Sequence, residues 1–236
     1  MKQQDFFVPF CDKCALETNS VFKHLSKDET VKINYEKDFR NYKRGDVLYH
    51  EGNRINGFYC INKGIIKVFK TGIDGKEQII RFAKTGEIIA YRSVLSNEPA
   101  CTTATVIEDC LVCFIPSEVL ISFIKNNSAF SFEVMKITCH ELGEANSYIT
   151  DIAQKTVRER LAEVVLQLVK DFGLDEEGYL QISLTREELA NIVGTATESV
   201  IRLLSEFKSD NYIEITGRKI KIINHKGLEK ISNVLN

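Results

Sequence analysis

The 236-residue sequence has no excess of basic charge. Its 31 lysines and arginines stand against 33 aspartates and glutamates, a formal net charge of −2 with a pI of about 6.1. A strongly basic chain draws nucleic acid over its whole surface; this one does not, so affinity for DNA must come from where particular charges are placed. The sequence also lacks any apolar run near the roughly 18 residues of a membrane span. Met1-Lys2-Gln3-Gln4-Asp5 is not the charged-then-apolar opening of a secreted protein. Neither a membrane partner nor export is expected, and seven cysteines, an odd number, fit the reducing cytoplasm. Enzyme motifs are missing as well: no P-loop, no G-x-S-x-G elbow, no metal-binding histidine pair, no G-x-G-x-x-G opening a helix. A non-enzyme is expected.

What is present falls into four stretches. Residues 1–25 are a lead-in that carries Cys11 and Cys14. From about residue 31 to 115 the texture is of short apolar strands separated by glycine turns. Val47-Leu48-Tyr49, Gly57 to Ile61, Gly64 to Phe69, Glu77 to Phe82, Thr103 to Ile107 and Cys110 to Ile115 read as strands. Such a series predicts a small all-β barrel or jelly roll, with residues 26–126 as a sensor domain and its flanking helices. Pro116-Ser117-Glu118 opens a helix, proline suiting the first turn and the acid suiting the dipole. A long helix then runs from about Ser128 to Ile152. Met135, Leu142 and Ile149 recur every seven residues, with Cys139 and Asn146 between them. That narrow seam is what a two-stranded helix interface needs, so residues 127–154 are expected to be a dimerisation helix and hinge. Packing of this seam on the chain's own barrel is the alternative.

Residues 155–236 carry the most specific pattern. An amphipathic helix through Arg160 to Val169 stops at Gly173. Thr185 followed by Glu188 is a capping box, and its helix ends at Gly194. A second helix follows at once from Thr197, with Val200, Leu203, Leu204 and Phe207 as a buried stripe. Helix, tight glycine turn, helix is the layout that places a second helix in the major groove. Tyr212 to Ile215 and Lys219 to Ile223, joined by Thr216-Gly217-Arg218, read as a wing whose Arg218, Lys219 and Lys221 can meet phosphates. On the second helix, Thr197, Glu198 and Arg202 can reach base edges. Glu accepts from a cytosine amino group and Arg donates bidentately to guanine. A plain surface ion pair between Glu198 and Arg202 is the alternative. Thr185, Arg186, Thr195 and Ser199 complete the expected DNA-contacting set.

Residues 185–204, Thr-Arg-Glu-Glu-Leu-Ala-Asn-Ile-Val-Gly-Thr-Ala-Thr-Glu-Ser-Val-Ile-Arg-Leu-Leu, resemble the helix-turn-helix of the cyclic-AMP receptor and fumarate–nitrate regulator (Crp–Fnr) family. The turns at Gly45-Asp46, Glu51-Gly52, Gly64 and Gly75 resemble that family's sensor domain, and the likeness covers nearly the whole chain after residue 20. The resemblance implies an α+β fold: an N-terminal double-stranded β-helix (jelly roll, cyclic-nucleotide-binding-like), a long dimerisation helix and a C-terminal winged helix-turn-helix. It further implies a homodimer on a two-fold symmetric double-stranded DNA operator, in contact with RNA polymerase and under control of a small-molecule effector. Glu198 and Arg202 fall where the family places its base-reading pair, and Thr197 and Ile201 where subfamilies carry further specifying residues.

The same resemblance bears on the signal. Relatives that bind a cyclic nucleotide use a Gly-Glu segment followed by an Arg-Ser pair. Here Gly86-Glu87 is present, but the later pair falls at Ala100-Cys101 or Cys101-Thr102, and Arg92-Ser93 comes too early. A buried phosphate without its arginine would be unpaired, so cyclic AMP is not expected. Glu87, Tyr91, Arg92, Ser93, Cys101 and Thr102 are the expected effector pocket. The alternative sensor is an iron–sulfur cluster on Cys11, Cys14 and Cys113, with Cys110 as a possible fourth thiolate. No residue between Cys14 and Cys60 supplies a further cysteine, and Cys60, Cys101 and Cys139 read as core filler. His24, His50, His140 and His225 show no haem-ligand context. A different class, an effector-binding protein-interaction module that does not bind DNA, is separable from all of these by salt-dependent DNA binding.

Overall fold

Ser26 and Glu29 cap each other's backbone at the start of α1 (Lys27–Glu36), which corrects the expectation of strands from about residue 31. The alternation of Val31, Ile33 and Tyr35 suggests a strand, yet only Ile33 is buried, and the local cap decides the outcome. The structure, a computed structural model, describes residues 20–233. The chain divides into two units, Met1–Glu141 and Leu142–Asn236.

The first unit is built on an antiparallel sheet of β1 (Asp38–Tyr42), β2 (Val47–Tyr49), β3 (Gly57–Thr71), β4 (Glu77–Ala83), β5 (Ile88–Ile89) and β6 (Thr103–Pro116). The order is β1-β6-β3-β4, with β2 also on β6 and β5 also on β3. The two runs Gly57 to Ile61 and Gly64 to Phe69 are one strand, not two, and so are the two runs of β6. Register shifts between Ile61 and Ile66 let the long ribbon bend without ending. Gly64, at φ +99°, is the pivot, since a Cβ there would lie 2.5 Å from Cys110 Sγ and 2.6 Å from the Asp109 carbonyl. Inside the fold, Phe58, Ile61, Ile66, Ile89 and Ile115 are fully buried. Short helix α2 (Tyr91–Ser96), α3 (Ser117–Asn126) and the first turns of α4 (Ser128–Gln154), through Phe130 and Val134, join that core.

Beyond Val134, α4 buries nothing fully. Met135, Leu142 and Ile149 are 59%, 62% and 66% exposed, and Cys139 and Asn146 between them are exposed too. The positions read from the heptads are therefore exposed along α4.

In the second unit, Thr156 and Glu159 cap α5 (Val157–Phe172), and Gly173 ends it at φ +77°. Then come α6 (Arg186–Val193), α7 (Thr197–Ser209), the hairpin β7 (Ile213–Thr216) and β8 (Lys219–Ile222), and α8 (His225–Ser232). Leu161, Val165, Leu189, Val200, Phe207 and Leu228 meet in a core that seats α7 from behind. Each such side chain contributes roughly 1.5–3 kcal/mol by leaving water. Among the described residues no helix is long and apolar enough to cross a membrane.

Candidate nucleic-acid interface

The helix-turn-helix is set by local chemistry. Thr185 Oγ1 accepts from the Glu188 N–H at 3.0 Å, and Glu188 Oε2 accepts from the Thr185 N–H at 2.7 Å, which fixes where α6 starts. Gly194 adopts the left-handed conformation, φ 71° and ψ 50°, and donates its N–H to the Ala190 carbonyl. That residue turns the chain tightly enough for α7 to begin three residues later. Ala196, at the head of α7, has no side-chain acceptor for the first N–H groups of the helix.

The two faces of α7 are sharply different. Val200, Leu203, Leu204 and Phe207 are buried; Glu198, Ile201, Arg202 and Ser205 are exposed. Glu198 and Arg202 thus share the outward face as expected, but they do not pair with each other. Arg202 Nη1 instead donates to Glu206 Oε1 at 2.6 Å, one turn further on. With side chains 66% and 41% exposed, that pair is worth less than about 1 kcal/mol, so a base edge can displace it. Thr195, Thr197 and Ser199 are half-buried at the head of the helix.

Arg186 and the wing flank this face. Arg186 Nη2 donates to the Gly217 carbonyl at 3.0 Å, tying α6 to the hairpin tip. Its Nη1 is buried with no partner among the described residues, and burial pulls the guanidinium below its ordinary pKa. Arg218 and Lys219 are exposed on the wing. Lys221 is less available: it lies 5.6 Å from the Tyr179 ring and 4.0 Å from Glu214.

The barrel holds a second polar cluster, inside the first unit. Arg81 of β4 reaches Glu87 Oε2 and Glu141 Oε1, both at 3.1 Å, and donates to the Ile88 carbonyl at 3.0 Å. The expected pocket residues are only partly gathered there. Glu87 joins the cluster, and Tyr91 is buried beside Glu141 and Thr138, where burial pushes its hydroxyl pKa up. Thr102 bonds Tyr49, whose hydroxyl is also pushed up by burial. Arg92 is exposed on α2, Ser93 is buried and Cys101 is half-buried. Sequence reasoning missed Arg81 and Glu141, which lie on different elements with no motif between them.

Residues 39–127 match the cyclic nucleotide-binding domain family, and residues 159–231 match the Crp-like helix-turn-helix domain family. A CRP-like cAMP-activated global transcriptional regulator of Mycobacterium tuberculosis is 26% identical over 192 residues, covering 80% of this chain and 86% of the relative. A fumarate and nitrate reduction regulatory protein of Yersinia pestis is 24% identical over 227 residues, covering 94% and 90%. The solved structure of FixK2 from Bradyrhizobium japonicum superposes with a TM-score of 0.75 at 21% identity, over 85% of this chain and 99% of that one. The chain belongs to the Crp–Fnr family of transcription regulators. Glu198 and Arg202 are exposed within its Crp-like helix-turn-helix domain.

The cysteines of this Crp–Fnr regulator divide in the same light. Cys11 and Cys14 lie outside the described residues. Cys113 is buried on β6 in the apolar cluster with Phe58 and Ile115. Burial, with Glu108 and Asp109 nearby, pushes the Cys110 thiol up to about 11. It stays protonated at neutral pH and donates to the Glu108 carbonyl at 2.9 Å. Among the described residues no three histidine, cysteine or acidic groups converge on a metal position.

Proposed function

We propose that this chain works as a homodimer on a two-fold symmetric DNA operator, with one α7 from each subunit in successive major grooves. The observation that carries this reading is α7 itself: a buried stripe on one side, and Glu198 and Arg202 exposed on the other. Arg202 is suited to a guanine edge and Glu198 to a cytosine amino group, while Thr185, Arg186, Thr195, Thr197, Ser199, Arg218 and Lys219 lie where phosphates and neighbouring bases are met. The stripe of Met135, Cys139, Leu142, Asn146 and Ile149 supports pairing of two α4 helices, since exposed apolar heptads gain by covering one another. Contact with RNA polymerase then follows the family's pattern, and cytoplasmic residence suits both partners.

The barrel supports an effector other than cyclic AMP. Arg81, a cation at this place, is already shared by Glu87 and Glu141, so it is not free to neutralise a cyclic phosphate. Selection of bound duplexes from random DNA, followed by sedimentation of the free chain, tests the whole reading. Expected are a palindromic site with half-sites about 34 Å apart and a dimer in solution. A chain that binds no duplex at low salt, or stays a monomer, would overturn it.

A further inference from the structure

Two cysteines stand directly opposite each other in the barrel. Cys60 of β3 and Cys113 of β6 are ladder partners, in a stretch whose register runs unbroken from Gly57 opposite Pro116 to Ile61 opposite Val112. Opposed residues of an antiparallel pair share one face of the sheet. Burial agrees: Phe58, Cys60, Cys113 and Ile115 lie in one apolar cluster, whereas the adjacent Ile61 and Val112 lie in another. Cys60 and Cys113 are each 2% exposed. The far edge of β3 is held at Cys60 by Ile88 of β5, and the far edge of β6 at Cys113 by Phe39 of β1. Pairing on both edges, with one face buried, keeps either strand from slipping. Cys110, further back on β6, differs: it lies opposite Tyr42 and turns its thiol to the Glu108 carbonyl.

Residues opposed in this way are about 4.5–5.5 Å apart at Cα and at Cβ. A disulfide spans about 4.4–6.8 Å at Cα and about 3.5–4.5 Å at Cβ. The backbone already stands within that range, and closing the bond asks for a movement of roughly 1 Å at Cβ. We propose that Cys60 and Cys113 form a reversible disulfide across β3 and β6, with hydrogen peroxide as the oxidant. One sulfur attacks the O–O bond and becomes a sulfenic acid, releasing a water. The other displaces that hydroxyl, forming the S–S bond and releasing a second water. Two thiols and one peroxide thereby give one disulfide and two waters. Enclosure between Phe58 and Ile115 makes the first step slow and favours a small, uncharged oxidant. Opposition on the ladder makes the second step fast. A bond that draws two strands together stores strain, so a dithiol reductant reopens it. The pair gives Cys113 a partner inside the barrel, independent of Cys11 and Cys14. It also lies in the cluster that holds Phe130 and Val134, so the bond forms in the core that seats the first turns of α4.

The test is treatment of the folded full chain with hydrogen peroxide, then unfolding with an alkylating agent and peptide mapping by mass spectrometry. Cys139, exposed on α4, reports that the oxidant has acted. Expected is a peptide joining Cys60 to Cys113, two hydrogen atoms lighter than the separate thiol peptides. It forms more slowly than Cys139 reacts and is lost on treatment with dithiothreitol. The link is absent from Cys60→Ala and from Cys113→Ala. In the variant that keeps the attacking sulfur, dimedone added on unfolding traps it as a sulfenic acid, a form the wild type does not accumulate. Circular dichroism verifies that both variants fold, and the wild-type map stands without them. Three results overturn the proposal. One is oxidised Cys139 with Cys60 and Cys113 still alkylated as thiols. Another is a link from Cys113 to Cys11, Cys14 or Cys110 in place of Cys60. The third is a wild-type chain in which either member of the pair runs on to sulfinic acid without a disulfide.

Discussion

Arg81 of the barrel and Arg202 of the recognition helix both hold carboxylates, and they are not equivalent. Arg81 sits between Glu87 and Glu141 at 3.1 Å each, its side chain 23% exposed. Arg202 meets Glu206 at the shorter distance of 2.6 Å, but is 66% exposed. Distance alone would rank the second contact stronger. Dielectric ranks it weaker: charges in water are screened and easily exchanged, whereas partly enclosed ones must keep their partners. The barrel thus keeps Arg81 occupied by its own carboxylates, while the recognition helix keeps its cation loosely attended and ready for another acceptor. A site that holds its own charges tightly is poorly suited to a charged ligand; one that holds them loosely invites it.

The contrast is broken most severely from beneath α7. Phe207 is fully buried and stacks edge-on with Tyr212. Phe207→Ala should cost about 3–5 kcal/mol and remove DNA binding by loosening the helix that presents Arg202. Scanning calorimetry should show only the transition of the second unit moving; a uniform shift of all transitions would mean that the barrel depends on it.

The barrel side is tested by Arg81→Met. Fully buried pairs cost about 3–5 kcal/mol to break, and the partial exposure of Glu87 and Glu141 reduces this to about 2 kcal/mol. Chemical denaturation measures it. A change below about 0.5 kcal/mol would place this cluster with the solvated surface pairs and remove the distinction drawn above. Next comes Arg202→Ala, which should leave stability unchanged and cost about 1–3 kcal/mol on the selected operator, with preference blurred at one base pair. Equal weakening on every duplex would make Arg202 a phosphate contact.

The two regions also differ in how readily the sequence discloses them. The Thr185–Glu188 box, the Gly194 turn and the α7 stripe are contacts within a few residues, so spacing alone reveals them. The exposed α4 seam is legible for the same reason. The continuity of β3 through Gly64 is not, because the bulge depends on Cys110 of another strand. Nor is the Arg81 cluster, assembled from β4, the Gly86-Glu87 turn and α4 by packing. Helix α8 escapes notice because its Asn224 cap and buried Leu228 take meaning only beside α5. On α7 the spacing leaves the ion pair open: Glu198 and Glu206 are both four residues from Arg202, and only the structure shows which is used.

That choice yields the smallest and most discriminating prediction. In the free chain Glu206 occupies Arg202, and it places a negative charge on the face that must approach phosphates. Glu206→Gln removes both effects at once, with melting temperature unchanged because the pair is exposed. Affinity for the operator should rise by up to about 1 kcal/mol, roughly fivefold. Titration in the Arg202→Ala background separates the two contributions. If Glu206 acts by occupying Arg202, its substitution gains nothing once that arginine is gone; if it acts only as a repelling charge, the gain persists and shrinks with added salt. Weaker binding by Glu206→Gln alone would reverse the assignment: Glu206 would then be the residue that aims Arg202 at its base, and a loosely held cation would be a positioned one.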